Sequence, residues 1–188
     1  MTANWRKFKT GKYTRTLTSD FMNKQILRLS GITPESFVDG PGLRYVIFTQ
    51  GCFHKCPYCH NPDSWDVSAG KEFPAREIIR MIKKQKNIQG VTFSGGEPFL
   101  QAKGLSEISE AAHQTGLDVV TYTGFTYEQL IEKKDEDINS LLFASDILID
   151  GKYLHELKSN SLQFRGSSNQ RVINVSETLK NGEIILWK

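Results

Sequence analysis

Cysteine is scarce in this 188-residue chain, which holds Cys52, Cys56 and Cys59 and no others. An odd count packed so tightly excludes the multi-bridge framework of a small secreted domain. No apolar run approaches the roughly 18 residues that span a bilayer, and the first residues lack the apolar segment of a secretory signal. A cytoplasmic location is therefore expected, with no membrane partner. The body also lacks charge of one sign. The net charge is +3, yet Arg6, Lys7, Lys9, Lys12 and Arg15 face Asp20 alone in the first 21 residues, which leaves about −1 for the remainder. That balance argues against a nucleic-acid surface. A convincing Ser/His/Asp or paired-carboxylate set is missing too, and the four histidines are scattered.

What remains describes one ordinary domain. Hydrophobic content of 38% with 24% charge suits a single buried core at this length. The opening stretch MTANWRKFKTGKYTRTLTSDF is acid-poor and rich in threonine and basic residues. It reads as a disordered basic extension over residues 1–22, or as an upstream start with Met22 as the working one; an organellar transit peptide shares the bias. Foldable sequence begins at Gln25, and residues 23–188 are expected to form the domain.

Along that body, strand and helix patterns alternate. Gln25–Ile32 and Leu43–Gln50 read as strands around the DGPG turn of Asp39–Gly42. Phe73–Lys86 carries Ile78, Ile79 and Ile82 at helical spacing, and Gly90–Ser94 is a short apolar strand. Leu105, Ile108, Ala111 and Ala112 mark a helix, Leu117–Tyr122 a strand, Thr126–Lys134 a helix and Asp146–Asp150 a strand. RVINV and EIILW are read as two further strands. Such alternation predicts a parallel α/β sheet with functional loops at the strand C-terminal ends. Cys52, Gly95, Thr121 and Asp150 each lie at or just beyond such an end.

The cysteines form C-x3-C-x2-C within GCFHKCPYCHNPDSW. Three thiolates would leave one iron of a four-iron cubane open, and open metal positions are where chemistry happens. A structural zinc site completed by His54 or His60 is the other reading. SGGEP, Ser94–Pro98, puts Gly95 and Gly96 where backbone can approach a ligand and adds Glu97, a carboxylate able to pair with an ammonium; taken alone the string is weak, and a tight turn is its plainer reading. IDGK ends a strand with Asp150 and Lys152, which a surface ion pair would also explain. VDGPGLR, Val38–Arg44, reads as a turn.

Together these strings resemble the radical S-adenosylmethionine (SAM) enzymes, and in particular the glycyl-radical activating enzymes. Tyr58, the aromatic residue before the last cysteine, fits that family. The resemblance implies a partial (β/α)6-type TIM barrel of the radical SAM kind, with a 4Fe-4S cluster on Cys52, Cys56 and Cys59. It implies SAM contacts from Tyr58, Cys59, His60, Ser94, Gly95, Gly96 and Glu97, a monovalent cation near Asp150 and SAM's carboxylate near Lys152. Thr121-Tyr122-Thr123-Gly124 stands where the family has a D-T-N-G string, which puts the cation in doubt. Asp39 is implied to receive the partner's glycyl loop, so Asp39 and Lys152 are the catalytic candidates. His60 is read as a SAM- or loop-contacting residue.

The string RGSSNQ, Arg165–Gln170, following DGK is similar to the activating protein of anaerobic, class III ribonucleoside-triphosphate reductase, a resemblance covering residues 25–188. The shortness of the chain fits that small branch. Activases with further ferredoxin-type clusters are excluded by the missing cysteines. A polar turn with local hydrogen bonds from Arg165 and Asn169 is the plain reading of the string. The implied activity is one-electron cleavage of SAM to methionine and a 5′-deoxyadenosyl radical, which takes hydrogen from a glycine of the reductase, with reduced flavodoxin or ferredoxin as donor. The alternatives are an activase for another glycyl radical enzyme such as pyruvate formate-lyase, a 7-deazaguanine-type radical SAM synthase, or a zinc-binding module.

Overall fold

The computed structural model describes residues 25–188; the basic extension over residues 1–22 lies outside the described residues. Seven strands make one sheet: β1 Ile26–Ser36, β2 Arg44–Thr49, β3 Lys71–Pro74, β4 Gly90–Gly95, β5 Asp118–Tyr122, β6 Ile147–Asp150 and β7 Arg171–Asn174. Five helices accompany it: α1 Ala75–Ile82, α2 Ala102–His113, α3 Tyr127–Glu132, α4 Glu136–Phe143 and α5 Val175–Asn181. The sheet order is β3-β1-β2-β4-β5-β6-β7.

The expected parallel α/β core is present, and in place of the expected partial (β/α)6 barrel stands one sheet that does not close: β2, β4, β5 and β6 pair in parallel, and both edges are antiparallel. Connection chemistry explains the difference. A parallel neighbour needs a crossover of a dozen or more residues, usually a helix. Only residues 37–43 separate β1 from β2, too few for one, and residues 151–170 between β6 and β7 hold only a short 3-10 turn at His155–Leu157. Strands β3 and β7 therefore end the sheet, which is open and mixed.

Apolar spacing sets the helices onto this sheet. Ile78, Ile79 and Ile82 of α1 and Leu105 and Ile108 of α2 are buried with Tyr45, Val91 and Phe93 of the strands in one core. The helix expected over 73–86 begins only at Ala75, because Lys71–Pro74 pairs with β1 and Pro74 forms the extended cap. Two helices are additional. Asp135 caps α4 by accepting from Ile138 N at 2.9 Å, and Asn174 caps α5 by accepting from Glu177 N at 3.0 Å. The EIILW strand is a correction. That segment makes one isolated bridge, Ile173 to Leu186, because α5 intervenes and only Asn174 N→Ile185 O and Trp187 N→Val172 O bonds hold it beside β7. No helix among the described residues is long and apolar enough to cross a membrane.

Candidate functional site

Parallel pairing brings four strand ends to one rim, as register requires: Thr49 of β2 lies beside Gly95 of β4, Phe93 beside Thr121 of β5, and Tyr122 beside Ile149 of β6. The loops leaving these ends enclose a cavity of about 410 Å³. Cys52, Cys56 and Cys59 line it together with His60, Ser94, Gly95, Gly96 and Asp39. Eight of the sequence-predicted residues thus meet in one place.

The cysteine loop is folded by its own backbone. Gly51 N donates to Ser64 O at 2.8 Å and Cys52 N to Trp65 O at 3.1 Å, while the Gln50 amide donates to Asp63 O at 2.9 Å and Asp66 O at 2.7 Å. Lys55 and Tyr58 take left-handed φ of 48° and 57°, a costly conformation for non-glycine residues that a loop accepts when its surroundings dictate the path. Burial pushes the Cys52 thiol up, against a lowering hydrogen bond from the His54 backbone, and burial likewise pushes Cys56 up. Such thiols would release their protons to solvent on binding a metal, whose positive charge stabilises the thiolates. Among the described residues no group of three or more His, Cys, Asp or Glu side chains is arranged to hold a metal ion; the three cysteines line one cavity, where a cluster would take one iron per thiolate.

Gly95 and Gly96 are required by the chain itself. A Cβ on Gly95, whose φ is +95°, would lie 2.6 Å from Thr49 N, and one on Gly96 would run into the Gly51 carbonyl. At Gly96 the space a side chain would take is filled by the base of the cysteine loop, while the residue itself lines the cavity.

Four predicted residues stand elsewhere. Glu97 is fully buried behind the cavity wall, accepting from Phe99 N and from Thr123 Oγ1, Gly124 N and His54 Nε2 of the wall itself. Asp150 is fully buried, accepting from Tyr127 N at 2.8 Å and Arg171 Nε at 3.0 Å; a guanidinium holds the place expected for a cation. Lys152 is exposed and lines an adjoining cavity with Phe53, His54 and Phe125. Tyr58 is 74% exposed, its ring 4.2 Å from that of His155.

Sequence reasoning missed other residues. His54, weighed in the sequence only as a zinc ligand, lines the cavity as well as His60. Arg165 and Gln170 of RGSSNQ line the cavity, and Arg165 is the one cationic Lys or Arg side chain on its wall among the described residues. Its Nη1 donates to Gln170 O at 2.6 Å, whereas its Nε is buried without a hydrogen-bond partner. The bond from Arg165 is local, as the turn reading holds. Asn169 is not local: its side chain donates to Lys152 O at 2.8 Å and that of Gln170 to Gly151 O at 3.0 Å. The string braces the DGK loop. Its density of side-chain amides was the available signal.

Residues 38–173 match a family described as a 4Fe-4S single cluster domain. The chain is 39% identical over 117 residues to the pyruvate formate-lyase-activating enzyme of Clostridium pasteurianum, covering 57% of this chain and 49% of the relative. It is 31% identical over 156 residues to the pyruvate formate-lyase 1-activating enzyme of Escherichia coli (strain K12), covering 80% of this chain and 61% of the relative. Against the pyruvate formate-lyase-activating enzyme of Listeria monocytogenes serovar 1/2a it is 33% identical over 176 residues, 88% of this chain and 68% of the relative. The chain thus spans about half to three-fifths of the length of the first two relatives. With residues 38–173 matched to that family and 88% of its length aligned to the Listeria relative, the chain belongs to the 4Fe-4S single cluster domain family and is a relative of the pyruvate formate-lyase-activating enzymes.

Proposed function

We propose that this chain is a radical SAM activase that generates a glycyl radical on a partner enzyme. The observation that carries the reading is the meeting of all three cysteines with Gly95, Gly96 and Arg165 around one cavity. Cys52, Cys56 and Cys59 would hold a 4Fe-4S cluster, leaving one iron without a protein thiolate and facing room for a small ligand. When bound and reduced, the cluster supplies one electron to the sulfonium of SAM, whose cleavage gives methionine and the radical that takes hydrogen from glycine. The chain's own part is to bind, orient and exclude. Arg165 supplies the cation for the methionine carboxylate, since Lys152 lies outside the cavity. Ser94, Gly95 and Gly96 give the edge on which the ligand lies, and His60 closes the side next to Cys59. Asp39 lines the same cavity, where the VDGPG turn would meet a partner's loop. Reduced flavodoxin or ferredoxin is the donor class that fits.

Pyruvate formate-lyase is the protein named with the relatives, and this partner class is the better supported. A second reading, class III ribonucleoside-triphosphate reductase, is favoured by the RGSSNQ string, which braces the DGK loop and places Arg165 on the cavity wall. The test is electron paramagnetic resonance of each large enzyme after incubation with reduced protein and SAM. A glycyl doublet on one of them assigns the partner. SAM cleavage without a doublet on either would reject both partners, and no cleavage at all would reject the activase.

A further inference from the structure

Glu97 has no exposed surface, and its carboxylate is fully engaged within the protein. It accepts from Phe99 N at 3.1 Å, Gly124 N at 2.9 Å, Thr123 Oγ1 at 2.9 and 3.0 Å, and His54 Nε2 at 2.7 Å. These donors come from the loops after β2, β4 and β5. His54 lies midway between Cys52 and Cys56, its side chain is 5% exposed, and its ring stands edge-on to Phe125 at 4.8 Å. Gly124 has no Cβ where the His54 ring stands, since one there would collide with it. One buried carboxylate therefore ties the cysteine loop to two neighbouring strand ends.

We propose that Glu97 is a positioning residue that fixes the cysteine loop through His54 and keeps a buried negative charge beside Cys52, lowering the reduction potential of a cluster bound there. The inference rests on the iron–sulfur reading. Its basis is that outer residues orient metal ligands and tune the metal, and that charge near a cluster sets its potential. At short range in a buried site, a fixed negative charge opposes the uptake of an electron far more than it would in water. Glu97 N also donates to Gly51 O at 2.8 Å, which sets the residue directly against the start of the cysteine loop at Cys52. A low potential is what one-electron reduction of a sulfonium demands. A carboxylate already holding four protein donors is poorly suited to bind a ligand's ammonium, so Glu97 serves the cluster, while Ser94, Gly95 and Gly96 keep their place on the cavity edge.

The test uses the anaerobically reconstituted full chain, with midpoint potentials measured by redox titration in the absence of SAM. Glu97→Gln, which keeps shape and removes charge, should retain iron and sulfide and ease reduction about tenfold, a positive shift of about 59 mV for one electron. Thr123→Val leaves the charge and removes a donor that screens it, so its shift should be negative. Opposite signs from two changes in one contact are not a result of general loosening. Positioning is read separately from the paramagnetic spectrum of the reduced cluster: His54→Leu should broaden it and His54→Gln, which keeps an amide donor, should restore it. An unchanged or more negative potential in Glu97→Gln, or a positive shift in Thr123→Val, overturns the inference with the iron–sulfur reading intact. Wild-type protein that takes up no iron and sulfide overturns both.

Discussion

Arg171 donates to the buried Asp150 carboxylate and, through Nη1 and Nη2, to both oxygens of Glu128 at 3.0 and 2.8 Å. This bridge ties β7 to the end of β6 and the first turn of α3. Replacing Arg171 by Leu leaves the Asp150 charge buried without its guanidinium, a loss on the order of 3–5 kcal/mol. Urea denaturation of the variant measures it. A loss under about 1 kcal/mol would mean that Asp150 is held by other groups.

The same bridge sets a pH dependence. The Arg171 guanidinium holds the Glu128 carboxyl at about 2, below its ordinary 4.5. A depressed folded value means that the contribution is complete above the ordinary range and is lost as pH falls from about 4.5 toward 2. Glu128→Gln should therefore lower stability at pH 7 and flatten the loss of stability across that acid window. Because the Glu128 side chain is 52% exposed, solvent screening keeps the effect small.

Tyr127 is 4% exposed and its hydroxyl is buried without a hydrogen-bond partner; burial pushes its pKa up to about 12. Removing an unsatisfied hydroxyl costs little. Tyr127→Phe should leave stability within about 1 kcal/mol of wild type, or raise it. A larger loss in thermal denaturation would show that the hydroxyl is bonded in solution.

Gly96→Val should expel the Gly51 carbonyl and disturb the cysteine loop at its base. Iron loading after anaerobic reconstitution should fall together with SAM binding. Full loading with weakened SAM binding alone would return Gly96 to the role of a ligand contact.

The sequence made the frame of the site legible. Cysteine spacing, glycines after a strand and the alternation of strand and helix patterns place Cys52, Gly95 and Asp150 on one rim, because parallel register fixes where strand ends fall. Side-chain direction was less legible. Glu97 and Asp150 occupy the expected positions yet turn inward, since their partners His54 and Arg171 lie 43 and 21 residues away in sequence. Arg165 was hidden for a similar reason: a polar string reads as a turn until the DGK loop it braces is seen beside it. The partial barrel came with the family resemblance; alternation gives the parallel core and does not report that β7 returns without a crossover helix. Lys152, expected near SAM's carboxylate, lines the adjoining cavity, while Arg165 lines the one that holds the cysteines.

The account stands most directly on the release of 5′-deoxyadenosine from SAM by the anaerobically reduced protein, compared between wild type and Cys56→Ala. Wild type is predicted to release it and to carry about four irons per chain, and Cys56→Ala to lose most of the iron and all of the product. Undiminished release by Cys56→Ala, or a colourless wild-type protein that holds zinc and releases none, would contradict it.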